Sequence, residues 1–186
     1  MRNFVIALVG LALLCPVSVA ALESDIFPEL VYITAVRDGD VEKVEGFLER
    51  GYDVNKVDGK GLTPLFYAAK DGNVEMTETL LKYRANINFK DRFGNTPLVW
   101  ACERGHTDVV ELLLEAGSDI DIQNRNGFTP LMRAVEAGQT RMVELLIEKG
   151  SDLMLQDYTG RDVQTFADNG RNRQIKKIVK KALQGN

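Results

Sequence analysis

The chain is poor in the residues from which most catalytic and metal centres are made. It has one histidine and two cysteines in 186 residues, whereas zinc sites and cysteine–histidine nucleophile pairs need several such groups held together. No glycine-rich phosphate loop, G-x-S-x-G or H-E-x-x-H pattern occurs, so no phosphate cradle, nucleophile elbow or metalloprotease helix is read. We therefore expect no metal, no cofactor and no enzyme. A basic excess is lacking too. Lysine and arginine number 23 against 27 acidic residues, for a net charge of −4, a poor match for nucleic acid, whose binding rests on clustered cations. What is present, 45% hydrophobic and 27% charged residues, is the composition of a globular domain, and the length suits one.

The first twenty residues, MRNFVIALVGLALLCPVSVA, form a pattern of their own. Arg2 precedes an apolar run from Phe4 to Leu14, long enough for a signal-peptide core and too short to span a bilayer. Pro16 breaks the run, and Ser18-Val19-Ala20 supplies the small residues of a cleavage site. The expectation is a signal peptide over 1–20, cleavage before Ala21, a leader over 21–29, and no membrane insertion afterwards. Cys15 lies between Leu14 and Pro16. The lipoprotein pattern wants a small residue before the cysteine, so lipidation is not expected. Removal of this segment leaves Cys102 as the sole thiol, which excludes an intramolecular disulfide even at an oxidising destination.

The remainder is periodic. Rows of 33 align Gly61, Gly94, Gly127 and Gly160; the pairs Thr63-Pro64, Thr96-Pro97 and Thr129-Pro130; and Leu65, Leu98 and Leu131. Further columns hold Ala35, Ala68, Ala101, Ala134 and Ala167, and Gly39, Gly72, Gly105 and Gly138. Apolar pairs close the rows at Phe47-Leu48, Leu80-Leu81, Leu113-Leu114, Leu146-Ile147 and Ile178-Val179. Each row opens on Asp58, Asp91, Asn124 or Asp157, three residues before its glycine, a tight-turn pattern. Thr-Pro then predicts a helix start, with threonine as N-cap and proline at the first helical position. The column beginning at Gly72 predicts its end. A second helix follows, with apolar spacing such as Val109, Leu112 and Leu113, which repeats as one helical face does. Arg84 stands where other rows have a glycine, so a strained left-handed exit is expected there, at about 1 kcal/mol relative to glycine.

This turn–helix–helix unit resembles the ankyrin repeat, which has a period of 33 and a T-P-L-H-x-A pattern. The tetratricopeptide alternative fails on period and on its missing W-x-x-L-G pattern. The resemblance runs over residues 30–186 and implies an all-α solenoid of about five stacked units. These are an N-terminal capping repeat at 30–55, repeats at 56–88, 89–121 and 122–154, and a C-terminal capping repeat at 155–186. In the last, Asp162-Val163 replaces Thr-Pro and Lys176, Lys177, Lys180 and Lys181 crowd the final helix, as suits a terminal unit with a polar outer face.

Side chains that invite chemistry have plainer readings. His106 follows Gly105 at the start of an outer helix and is expected to pack between repeats. Cys102, beside Ala101, reads as a buried thiol. Glu111 and Glu115 are four apart, a solvated helix face.

The resemblance implies instead a protein-binding module, monomeric when unbound, using turn tips and the exposed side of the first helix of each pair. Carried over by column, the candidate contacts are Tyr67, Trp100, Arg133 and Phe166, with Lys70, Glu103 and Arg104 beside them and Arg92, Phe93, Arg125 and Tyr158 at the turn tips. Tryptophan, tyrosine and arginine dominate interface hot spots. Arg133 is expected to contribute little to folding, whereas the rings of Tyr67 and Trp100 could equally serve packing. The export pattern looks bacterial and implies a periplasmic or secreted location. The partner expected is an envelope enzyme, such as a peptidoglycan hydrolase that the chain restrains. The alternatives are support of a periplasmic enzyme such as catalase, or a secreted effector engaging host proteins.

Overall fold

Pro64, Pro97 and Pro130 each stand at the first turn of a helix, and the threonine before each has an extended backbone, the geometry that proline's fixed φ favours. The structure, a computed structural model, describes residues 28–185. The expected signal peptide, its cleavage site, Cys15 and most of the leader lie outside the described residues. Among the described residues ten helices alternate in two layers. The inner layer holds α1 (Pro28–Asp38), α3 (Pro64–Asp71), α5 (Pro97–Arg104), α7 (Pro130–Glu136) and α9 (Val163–Asn169). The outer layer holds α2 (Val41–Glu49), α4 (Val74–Lys82), α6 (Thr107–Glu115), α8 (Thr140–Glu148) and α10 (Arg173–Gly185). Inner helices pack on inner helices and outer on outer, one repeat to the next. The molecule is an all-α solenoid.

The 33-residue columns become the core. Met76, Val109, Met142 and Ile175 line one buried stripe of the outer layer, and Phe47, Leu80, Leu113, Leu146 and Val179 another. Ala68, Ala101, Ala134 and Ala167 are buried where the inner helices meet, since a methyl group permits their close approach.

The caps are more varied than the sequence suggests. Only Thr129 uses its hydroxyl, accepting from the backbone N–H of Met132 at 3.2 Å. The hydroxyls of Thr63 and Thr96 are buried without a partner among the described residues. These two helix starts therefore rest on the proline and on backbone carbonyls, as with Phe66 N–H donating to Thr63 O at 3.1 Å. Asp162, in the threonine column, caps α9 through the backbone N–H of Thr165. After each inner helix, Asp40 and Asn73 cap their own outer helix. Their counterparts His106 and Gln139 reach back to the preceding repeat instead, to Lys70 O at 3.1 Å and Glu103 O at 3.2 Å. Carbonyls of a helix's last turn lack partners within it, so these side chains stitch one repeat to the next. Because Lys70 O can only accept, the Nε2 of His106 carries the proton. Its ring lies so close over Gly72 that a Cβ there would collide with it.

Four hairpin-like fingers, at 58–62, 91–95, 124–128 and 157–161, precede the inner helices. In each, the opening Asp or Asn donates its backbone N–H to a carbonyl four residues on, and its carboxylate or amide oxygen accepts two or more backbone N–H groups. Apart from one isolated bridge between Gln156 and Asp162, no β pairing occurs among the described residues. The last three fingers are joined at their tips. Arg125 N–H donates to Phe93 O at 3.0 Å, and Tyr158 N–H to Asn126 O at 3.1 Å. Deeper in, Asn124 Nδ2 donates to Asn95 Oδ1 at 2.8 Å, Lys90 Nζ to Gln123 O at 3.4 Å and Gln123 Nε2 to Gln156 O at 2.9 Å. The first finger departs from this pattern. Asn55 holds its base to Asn86 at 2.7 Å, but no equivalent tip bond joins Arg92 N–H to Lys60 O among the described residues. Val57 stands where the other fingers have Lys90, Gln123 and Gln156 and offers no polar group.

Candidate functional site

Nine residues separate the opening residue of each finger from the candidate contact on its inner helix. In the first two fingers the two are bonded. Tyr67 Oη donates to Asp58 Oδ2 at 2.6 Å, and Trp100 Nε1 to Asp91 Oδ2 at 3.1 Å. In the third, the opening residue is the neutral Asn124, and Arg133 turns instead to two carboxylates. Its Nη2 meets Glu103 of the preceding repeat and its Nη1 meets Glu136, each at 2.5 Å. In the fourth, Phe166 has nothing to donate, and Arg161 holds Asp157 through Nε at 2.9 Å and Nη2 at 2.7 Å. In its first two rows the column thus joins finger to helix.

Titration follows these bonds. Burial alone would raise the Asp157 carboxyl. The backbone N–H of Arg161, the Thr159 hydroxyl, the Arg161 side chain and the Thr159 N–H outweigh it and hold the group at about 2. Burial likewise opposes the lowering of Asp58, which the Tyr67 hydroxyl and the N–H groups of Leu62 and Lys60 bring about. Tyr67 is pushed up to about 12, by burial first and then by its bond to Asp58.

The sequence-derived contacts divide by exposure. Tyr67 and Phe166 are buried as they stand; Phe166 packs edge-on against Phe128 and beneath the Arg161 guanidinium. Trp100, Lys70, Glu103 and Arg133 are half-buried, and Arg104 is exposed at the last turn of α5. At the fingertips Arg92 and Arg125 are exposed, Phe93 is 52% exposed and Tyr158 71%. Arg133 does not match the expectation that it contributes little to folding. Its ion pair with Glu103 spans two repeats at side-chain exposures of 24% and 28%, which reduces solvent screening. Such a pair contributes about 1 kcal/mol. The Nε of Arg133 is buried with no partner among the described residues.

Two patches result. Around Arg133 lie Glu103 and Glu136. One repeat earlier, a cleft of about 470 Å3 opens between the first two fingers, walled by Lys60, Lys70, Arg92, Phe93 and Trp100 and floored by Leu62, Phe66 and Tyr67. Lys70 Nζ sits 5.2 Å from the centre of the Trp100 ring, and the Arg92 guanidinium 4.7 Å from that of Phe93. Sequence reasoning reached most of this wall but not Phe66 or Leu62, nor the opening itself. The available signals were Val57 in a polar column, a first finger with two glycines (Gly59 and Gly61), and an aromatic Phe66 where later rows have Val99 and Met132.

Among the described residues no group of three metal-ligating side chains could hold a metal ion, and no helix is long and apolar enough to cross a membrane. Cys102 is fully buried, and its burial raises its pKa, keeping it as the unreactive thiol. A family model described as ankyrin repeats, in three copies, matches residues 32–124 and 86–157. No curated protein matches the chain.

Proposed function

Because the chain belongs to the ankyrin-repeat family, a family of protein-binding modules, we propose that it is exported to a bacterial periplasm and there binds and restrains an envelope enzyme, such as a peptidoglycan hydrolase. The observation that carries the binding face is the strip formed by Trp100 on α5 and Arg133 on α7, in the same column of successive repeats. Both are half-buried, and they are flanked by Lys70, Glu103 and Glu136. A large ring and an arginine, held in place by neighbours, are the residue types that anchor interfaces. Restraint is supported by the architecture, since stacked repeats generally curve into an extended concave surface that can wrap a domain and cover its active site. The export half of the reading is supported by the amino-terminal pattern of charge, apolar run and small residues.

Two measurements test it. Mass analysis of the protein from an envelope fraction is expected to find a chain starting at Ala21 without lipid. A diacylated Cys15 at the amino terminus would overturn the free periplasmic form. Affinity capture from the same fraction, with mass spectrometry of the eluate and an activity assay on the partner, is expected to return a hydrolase that the chain inhibits. A catalase protected by the chain, or a host protein, would replace this reading.

A further inference from the structure

We propose that the opening between the first and second fingers is the slot for an extended acidic segment of the partner, an inference that rests on the protein-binding reading above. The later fingers show what the slot offers. At each of their junctions a backbone N–H from one tip meets a carbonyl of its neighbour (Arg125 to Phe93, Tyr158 to Asn126). At the first junction the corresponding groups, Arg92 N–H and Lys60 C=O, are not bonded to each other, and both residues are exposed. The glycines agree. A Cβ at Gly94 or Gly127 would strike the next finger's backbone, whereas a Cβ at Gly61 meets nothing within 4 Å. The gap is therefore a break in an otherwise bonded stack. Its volume of about 470 Å3 lies in the range that ligand sites occupy.

Charge selects the occupant. In a chain of net charge −4, the cleft lining brings together Lys60, Lys70 and Arg92 with a single carboxylate, Asp91, and Arg37 lies over the Tyr67 ring. The carboxylates nearby are engaged. Asp91 accepts from Trp100, Asn95 and Phe93, and Asp58 from Tyr67, Lys60 and Leu62. Asp71, at the end of α3, is exposed. An extended segment would take the free Arg92 N–H and Lys60 C=O, as strands added to open edges do. Its carboxylates would meet the three cations, and an apolar side chain would rest on Phe93 and Trp100.

Trp100 is the only tryptophan in the chain, so its fluorescence reads the slot directly. The probe is a tryptophan-free peptide, acetyl-Glu-Glu-Phe-Glu-Glu-Phe-Glu-Glu-amide, titrated against the whole protein, with a peptide carrying lysine for glutamate as control. The expected result is a saturable change in emission that weakens with salt and is about tenfold weaker or more in the double variant Lys60→Glu/Arg92→Glu. Both positions are exposed, so the variant is expected to keep the wild-type melting curve. No saturable response, an equal response to the lysine peptide, or an undiminished response in the double variant would overturn the slot. The partner separates this failure from failure of the wider reading. If the captured enzyme binds the double variant normally but not Trp100→Ala/Arg133→Ala, the acidic slot falls and the concave face stands. If it binds both normally, the concave face falls.

Discussion

Arg84 is the one non-glycine residue with positive φ among those described, at 63°, in an exposed position where other rows end their second helix on glycine. A side chain in that conformation is strained for want of room around Cβ. Arg84→Gly is expected to stabilise the fold by about 1 kcal/mol, read as a higher denaturant midpoint at unchanged slope. A loss of stability would mean that the guanidinium makes contacts that outweigh the strain. Asp157 gives a second prediction at this scale. Its native carboxyl lies at about 2, below its ordinary value of 3.8. The stability it contributes is therefore present above the ordinary value and lost as pH falls toward 2. Asp157→Asn, which copies the Asn124 of the finger before, is expected to flatten the fall in melting temperature between pH 4 and 2. Equal slopes in the two proteins would contradict the assignment. Single residues were the hardest to read from sequence. That Arg133 lies in the inner-helix column is plain from the repeat; that it pairs with Glu103, 30 positions earlier, depends on the distance between neighbouring helices.

At the level of elements, the helix starts and stops were legible because proline and glycine act locally: Pro64, Pro97 and Pro130 open helices, and Gly72, Gly105 and Gly138 close them in the left-handed conformation. Thr63 and Thr96 stand at the N-cap as expected, but their hydroxyls make no cap bond, since whether a buried oxygen finds a donor depends on the packed turn. The spacing of the fingers is likewise a property of neighbours. The final pair, α9 and α10, yields a sharp expectation. Ile175 and Val179 continue the buried stripes of α8, and Phe166 and Ala167 pack beneath them. Ending the chain at Met154 would bare the facing surface of α7 and α8, which each repeat covers only through its neighbour. The shortened protein is expected to melt lower and to aggregate in size-exclusion chromatography. A monomer with an unchanged melting curve would count against the stack as a single cooperative unit.

For the whole molecule, periodicity carried the fold, and the rows of 33 residues became an all-α solenoid of paired helices. The site was less fully legible. Columns identify which positions recur on the inner helices, but within one column Tyr67 and Phe166 are buried and Trp100 is half-buried, because burial is set by what packs over each ring. The central claim is that the concave strip at Trp100 and Arg133 holds the partner. Three proteins on the same affinity matrix test it most directly: the wild type, Trp100→Ala/Arg133→Ala, and Glu111→Ala/Glu115→Ala on the outer helix α6, each exposed to one envelope fraction. Hot-spot anchors cost about 2 kcal/mol or more each on truncation, roughly thirty-fold in affinity at 1.4 kcal/mol per decade. Arg133→Ala should also lower stability by about 1 kcal/mol through its pair with Glu103, so each variant's folding is checked by its melting curve. The account predicts that the partner is retained by the wild type and the outer-helix variant and lost from the folded concave-strip variant. Retention by the concave-strip variant, with loss confined to Glu111→Ala/Glu115→Ala, would contradict it and place binding on the convex face.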